Sequence, residues 1–169
     1  MAQKVILNIA TSLDGFIARK NGFVDWLPEI DNSEDYGMNK FMDSIGTVIL
    51  GNTTYSQFGA EYPNKECFVF SRKITGKKDN ITYVNENPRN FLNGLQNDEN
   101  IWLVGGSEIV KEFLKNNLID KFIITVIPIV LGEGISLFQE GCGEHNLKLQ
   151  EIKTFDSGVV QLFYQSKVS

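Results

Sequence analysis

Short runs of β-branched and apolar residues alternate along this chain with amphipathic stretches that begin in polar, turn-forming residues. Lys4 to Ala10 is β-branched and apolar and predicts a first strand. Thr11 to Gly15 is rich in turn residues and leads into a short apolar stretch, Phe16-Ile17-Ala18. Asn21-Gly22 is a strong turn signal, and Val24 to Pro28 has no regular period. Asp31 followed three residues later by Glu34 has the form of a capping box. It predicts a helix through Asp43, with Tyr36, Phe41 and Ile45 facing inward. Thr47 to Leu50 reads as a strand and Thr53 to Phe58 as a short helix.

The alternation continues to the C-terminus. Glu66 to Phe70 and Ile81 to Val84 read as strands around a polar loop at Gly76 to Asn80. Asn87-Pro88 supplies a cap and an N1 proline for a helix over Arg89 to Leu95. Ile101 to Val104 is a buried strand that ends in Gly105-Gly106, and Ser107 opens an amphipathic helix. Lys121 to Ile127 is a strand stopped by Pro128, and Leu131 to Gly134 is a loop. Leu147 to Phe155 and Val159 to Ser166 form a hairpin around Asp156-Ser157-Gly158. Strands alternating with helices predict an α/β fold, a largely parallel sheet covered on both faces. The closing hairpin makes one edge antiparallel. With 169 residues and no linker or repeat, residues 1–169 read as one domain.

Two junctions carry the candidate chemistry. At each, an apolar strand ends in glycine and feeds a helix, once at Gly51-Asn52-Thr53-Thr54 and once at Gly105-Gly106-Ser107. Free N–H groups and the dipole at a helix start suit a phosphate. A tight strand-to-helix turn without a ligand is the other reading. Neither junction has the G-x-G-x-x-G or Walker spacing, which disfavours a Rossmann domain or a P-loop enzyme.

Composition narrows the rest. The content of 42% hydrophobic and 22% charged residues is that of an ordinary globular protein. A net charge of −5 argues against nucleic acid as a partner. No apolar run approaches the roughly 18 residues of a membrane span, and no signal peptide is evident, so a cytoplasmic location is expected. Cys67 and Cys142 are too few for a disulfide framework, and with His145 they have no metal-site spacing. His145 reads as a surface residue of a polar loop.

Four segments together resemble the dihydrofolate reductase-like superfamily, in particular the C-terminal reductase domain of the bifunctional riboflavin-biosynthesis enzymes. They are Ser12 to Ala18, Val48 to Tyr55, Leu103 to Ser107 and Val126 to Gly134, in that order. The resemblance implies a three-layer fold with a mostly parallel sheet of about eight strands and an antiparallel C-terminal edge. It implies NADPH as cofactor and a cis bond between Gly105 and Gly106. The nicotinamide end would lie at Ala10, Thr11, Asp14, Gly15 and Ile17. The pyrophosphate would lie between Gly51-Asn52-Thr53-Thr54 and Gly105-Gly106-Ser107, and the 2′-phosphate at Ser71-Arg72-Lys73.

The substrate side is less defined. Phe16, Trp26 and Tyr36 are candidate pocket walls, and Asp31, Tyr36 or a water molecule is a candidate proton donor. Asp31 also has a complete role as a helix cap, and Trp26 as core. Three departures stand out. Asn52 occupies the place where folate reductases carry Arg, and Phe16 the place where riboflavin reductases often carry a basic residue. Asp31 lies one residue further from Pro28 than the folate enzymes' carboxylate. The implied activity is hydride transfer from NADPH to a small heterocyclic or carbonyl substrate. Dihydrofolate reduction and nucleotide binding without catalysis are the alternatives. Such domains often pair, so a homodimer involving the C-terminal strands and Pro128 to Gly134 is expected.

Overall fold

The apolar runs become strands almost one for one. The computed structural model describes residues 3–28 and 34–167. Its strands begin with β1 (Val5–Ser12), β2 (Phe16–Ala18), β3 (Ile45–Gly51), β4 (Glu66–Phe70), β5 (Gly76–Lys78) and β6 (Ile81–Val84). They continue with β7 (Asn100–Gly105), β8 (Lys121–Ile127), β9 (Ile135–Ser136), β10 (Leu147–Thr154) and β11 (Val160–Ser166). The helices are α1 (Met38–Asp43), α2 (Asn52–Phe58), α3 (Pro88–Gly94) and α4 (Ser107–Lys115).

Nine strands form one sheet in the order β10-β11-β8-β1-β7-β3-β4-β6-β5. β1 is an interior strand and pairs in parallel with β7 and β8, with Val5 opposite Ile101 and Ile6 opposite Lys121. β3 joins β7 and β4 in parallel, and β4 joins β6. Only the margins are antiparallel: β11 against β8, β10 against β11, and β5 against β6. The architecture is the mixed α/β sheet that the alternation predicts.

Successive strand residues point to opposite faces, and the two faces bury different partners. On one face Leu7, Ile49, Ile101 and Leu103 pack with Phe91 of α3 and with Val110, Phe113 and Leu114 of α4. On the other, Ile6, Val48, Leu50 and Trp102 pack with Phe41 and Met42 of α1 and Tyr55 of α2. The spacing Ile109, Val110, Phe113, Leu114 puts one apolar stripe of α4 on the sheet. Each fully buried side chain of that kind contributes roughly 1.5–3 kcal/mol.

Several elements differ from the sequence expectation. α1 starts at Met38, not at Asp31. Its N-cap is Gly37, and the Asp35 carboxylate just before it accepts the Gly37 and Asn39 amides at 2.8 and 3.0 Å. Asp31 lies outside the described residues. Ile45 is buried as expected, but as the first residue of β3. The polar loop at Gly76 contains the short exposed strand β5. β1 extends through Ser12. β2 and β9 form a separate antiparallel pair that the sequence pattern does not predict.

That small pair ties two distant motifs together. The Leu13 amide donates to the Ile129 carbonyl at 2.8 Å. The Asp14 carboxylate accepts the Leu131 and Gly132 amides at 3.1 and 2.8 Å and the Ser12 hydroxyl at 2.7 Å. The Ser12 hydroxyl, followed by those two amides, holds the Asp14 carboxyl below its usual range. Gly134 completes the clasp, because a Cβ there would lie 2.4 Å from the Ala18 carbonyl oxygen. Among the described residues no helix is long and apolar enough to cross a membrane.

Candidate functional site

Parallel strands end on the same side of a sheet, and the helices that follow start there. Here that edge carries a cleft of about 1240 Å³, bounded by β1, β3, β7 and β8, the starts of α2 and α4, and the loop at Gly22 to Pro28. This exceeds the roughly 300–1,000 Å³ of a usual small-molecule pocket, so there is room for two ligands side by side.

The two strand–glycine–helix junctions meet in this cleft. An ideal Cβ on Gly51 would lie 3.6 Å from the Gly106 nitrogen, and one on Gly106 would lie 3.2 Å from Thr54 Oγ1. Neither helix start is capped by a side chain. The amides of the first turns therefore lack intrahelical partners. The Gly105–Gly106 peptide bond is cis, as the resemblance implied. Ser107 is buried, and its hydroxyl accepts from Gln139 Nε2 at 2.7 Å. Further along, Ser71, Arg72 and Lys73 border the cleft after β4. The Ser71 hydroxyl accepts the Lys73 and Ile74 amides at 3.3 and 3.2 Å, which turns the chain there. Among the described residues neither Arg72 nor Lys73 forms an ion pair.

The other end of the cleft lies over β1, β8 and β11. Its lining includes Asn8, Ala10, Thr125 and Gln161, with Leu27, Met38, Trp102 and Val104 around them. The register places Thr125 between Ala10 and Gln161. Gln161 Nε2 donates to Thr125 Oγ1 at 3.0 Å and to the Tyr36 carbonyl at 2.9 Å. Asp35 also borders the cleft, but the Asn39 and Gly37 amides hold its carboxyl below the usual range, so it stays ionised.

The expected site residues divide clearly by position. Ala10, Ile17, Gly51, Asn52, Thr53, Thr54, Ser71, Arg72, Lys73, Gly106 and Ser107 line the cleft. Thr11, Asp14, Gly15 and Gly105 do not. Thr11 is buried in β1, and Asp14 is spent on the Leu131–Gly132 clasp. Gly105 contributes backbone geometry, with φ of 118°. Phe16 and Trp26 are not pocket walls. Phe16 packs where a Gly134 Cβ would be, and Trp26 is buried against Ile127 and Val159. Among the described residues the Trp26 indole nitrogen has no hydrogen-bond partner. Tyr36 lines the cleft, yet its hydroxyl donates to Ser157 Oγ at 3.2 Å in the β10–β11 turn. Sequence reasoning missed Asn8, Thr125 and Gln161. A polar residue inside an apolar strand, as in Val5-Ile6-Leu7-Asn8-Ile9, was the available signal. Among the described residues no group of three or more His, Cys, Asp or Glu could hold a metal ion.

Comparison with known proteins bears on the fold and the family. The chain is 42% identical over 172 residues to YwjB of Bacillus subtilis (strain 168), covering 97% of this chain and 98% of that one. A protein from Shewanella sp. PV-4 assigned to riboflavin biosynthesis superposes with a TM-score of 0.87 at 30% identity, over 99% of this chain and 100% of that one. Dihydrofolate reductase from Enterococcus faecalis shares the fold with a TM-score of 0.71 at 14% identity, over 98% of this chain and 97% of that one. The profile of the RibD C-terminal domain matches residues 72–161, which run from the Arg72 corner of the cleft to Gln161 on its floor. With more than half of its length in that match, the chain belongs to the RibD C-terminal domain family.

Proposed function

We propose that this protein is an NADPH-dependent reductase that reduces a small heterocyclic or carbonyl substrate by hydride transfer. The observation that carries the reading is one continuous cleft with two unlike ends. One end is built of glycine backbone, uncapped helix starts and two cations. The other is a partly apolar chamber over β1 and β8. The dihydrofolate reductase from Enterococcus faecalis, which has this fold, is seen complexed with NADP(H).

The residues present fit a dinucleotide. Gly51 and Gly106 leave a gap between α2 and α4 that a side chain would fill. Thr53, Thr54 and Ser107 surround it with hydroxyls, and the dipole of α4 favours an anion there. Arg72 and Lys73 border the cleft and would meet a further phosphate. Asn52 supplies a neutral amide, so the phosphate contacts near α2 come from backbone and hydroxyl groups.

When bound, the cofactor supplies the hydride. The chain supplies placement and a dry surface. Ala10 presents only a methyl group on β1, so a flat ring can lie against the strand. Ile17, Leu27, Val104 and Ile127 line the surrounding walls and reduce water at that point. The Tyr36 hydroxyl is spent on Ser157, which leaves Asp31 or a water molecule as the source of the proton that completes the reduction.

A fluorescence titration with NADPH tests the binding step. Saturable binding at micromolar concentration supports the reading, and its absence overturns it. Oxidation of NADPH on adding dihydrofolate would make dihydrofolate a substrate.

A further inference from the structure

We infer that Asn8 reads the substrate of this cleft. Together with Thr125 and Gln161 it selects an uncharged ligand that carries a carboxamide, free or within a ring. The inference rests on the proposed function only in taking this end of the cleft as the substrate end.

Three polar residues form the floor, each from a different strand and each buried: Asn8 at 8% exposure, Thr125 at 9% and Gln161 at 5%. Gln161 is fully committed on its donor side. The Tyr36 carbonyl can only accept, so the nitrogen of the Gln161 amide must face it, and the second N–H goes to Thr125 Oγ1. Thr125 therefore accepts from Gln161 and keeps its own hydrogen free to donate.

Asn8 differs from both. Its backbone is used, since its carbonyl accepts from Trp102 Nε1 at 3.0 Å. Its side-chain carboxamide has no protein partner among the described residues, and the little of this buried residue that stays accessible faces the cleft. Asn is also disfavoured inside a strand, and its neighbours Val5, Ile6, Leu7 and Ile9 are the residue types that favour one. A carboxamide at the cleft floor that no protein group engages is free to pair with a ligand group.

The chemistry of that group follows from what the floor offers. Asn8 presents an N–H donor and a carbonyl acceptor side by side, and Thr125 presents a donor. The complement is a planar group with an acceptor and a donor next to each other. The floor residues carry no formal charge. The cations Arg72 and Lys73 and the carboxylates Glu86, Glu108 and Glu112 stand on other elements of the cleft. Asp35 also borders it, with both its oxygens taken by amides. Over these three residues a charged ligand group would lose its water without meeting an opposite charge on Asn8, Thr125 or Gln161.

Three probes of one shape decide the matter: benzamide, the anion benzoate and the cation benzamidine. Each is titrated against the ¹⁵N-labelled full-length protein, with and without saturating NADPH, while the side-chain amide resonances of Asn8 are followed. Benzamide should shift them, and the two ions should not. Asn8→Leu should weaken benzamide at least tenfold and leave NADPH affinity and the melting temperature near wild type. Asn8→Asp should reverse the preference and favour benzamidine, a gain that a misfolded variant would not show. Equal binding of all three probes, or unchanged benzamide binding in Asn8→Leu, would overturn the assignment. NADPH binding without benzamide selection leaves the reductase reading intact and removes this one. Benzamide selection without NADPH binding does the opposite.

Discussion

Replacing Gly106 by Ala should separate ligand binding from folding. The backbone at Gly106, with φ of −78° and ψ of −160°, is one that any residue adopts. A Cβ would lie 3.2 Å from Thr54 Oγ1 and 4.0 Å from Ile17 Cδ1. The tighter contact is with a hydroxyl at the end of a side chain, which needs to move by only a few tenths of an ångström. Mild overpacking of this kind costs about 1 kcal/mol. In a chain of this size that lowers the melting temperature by roughly 2–4 °C. The same methyl group stands between the starts of α2 and α4, where a phosphate has to approach the amides. Losing one hydrogen bond to a charged group costs about 1.5–3 kcal/mol, which raises Kd about 10- to 150-fold. Gly105→Ala is the contrasting variant. Its φ of 118° is a conformation that L side chains rarely adopt, and its Cβ would lie 3.3 Å from Ile9 Cδ1. It should lose about 1–3 kcal/mol of stability from the backbone alone. Thermal melts and NADPH fluorescence titrations on both proteins provide the comparison. Wild-type NADPH affinity in Gly106→Ala would refute the assignment of this junction. A melting temperature lowered by more than about 10 °C would show that the methyl group is a packing defect instead.

Other outcomes follow from the same geometry. Arg72→Ala with Lys73→Ala should weaken NADPH roughly tenfold and leave NADH nearly unchanged, because only NADPH carries the 2′-phosphate; equal weakening would move these residues elsewhere on the cofactor. The lowered Asp14 carboxyl contributes stability above its unfolded value of about 4 and loses it as pH falls through the lower folded value. Asp14→Asn should therefore flatten the acid limb of the stability curve in urea melts between about pH 2 and 6, and an unchanged limb would show that the clasp does not stabilise the fold. Exposed Leu13, Val130, Leu149 and Ile152 lie on the C-terminal strands or the clasp beside them, so sedimentation at micromolar concentration should give twice the 19.1 kDa chain mass. A single 19.1 kDa species would exclude the dimer.

The sequence was legible where burial and period coincided. β4, β6 and β8 run as expected because each is an apolar run closed by turn residues. α4 starts at Ser107 as expected, since its apolar stripe begins two residues later. The pattern was silent where strands are short or solvated. β5 is Gly-Lys-Lys with every residue exposed, so it has no period to read. β2 and β9 exist because Asp14 and Gly134 hold two loops together across more than 100 residues of chain. The cleft was half legible for a related reason. Its phosphate-sized gap is written as glycines next to helix starts, which is a local pattern. The floor is a contact between β1, β8 and β11, and only the register brings Asn8, Thr125 and Gln161 onto one surface.

The register of β1 also sets the order in which the chain can fold during its synthesis. Val5 to Leu7 lie against Ile101 to Leu103 and, on the other side, Ile6 lies against Lys121. This interior strand is therefore made early and finds its first sheet neighbour roughly 100 residues later. At a translation rate of about 5–20 residues per second that is about 5–20 s with an apolar strand unpaired. Meanwhile β3, β4 and β6 can already assemble in register with one another. A half sheet of that kind has its β3 edge open until β7 emerges, and β7 then joins it to β1. Delay at that stage leaves β1 and the β3 edge both without β7, which favours a chaperone or, at high expression, self-association.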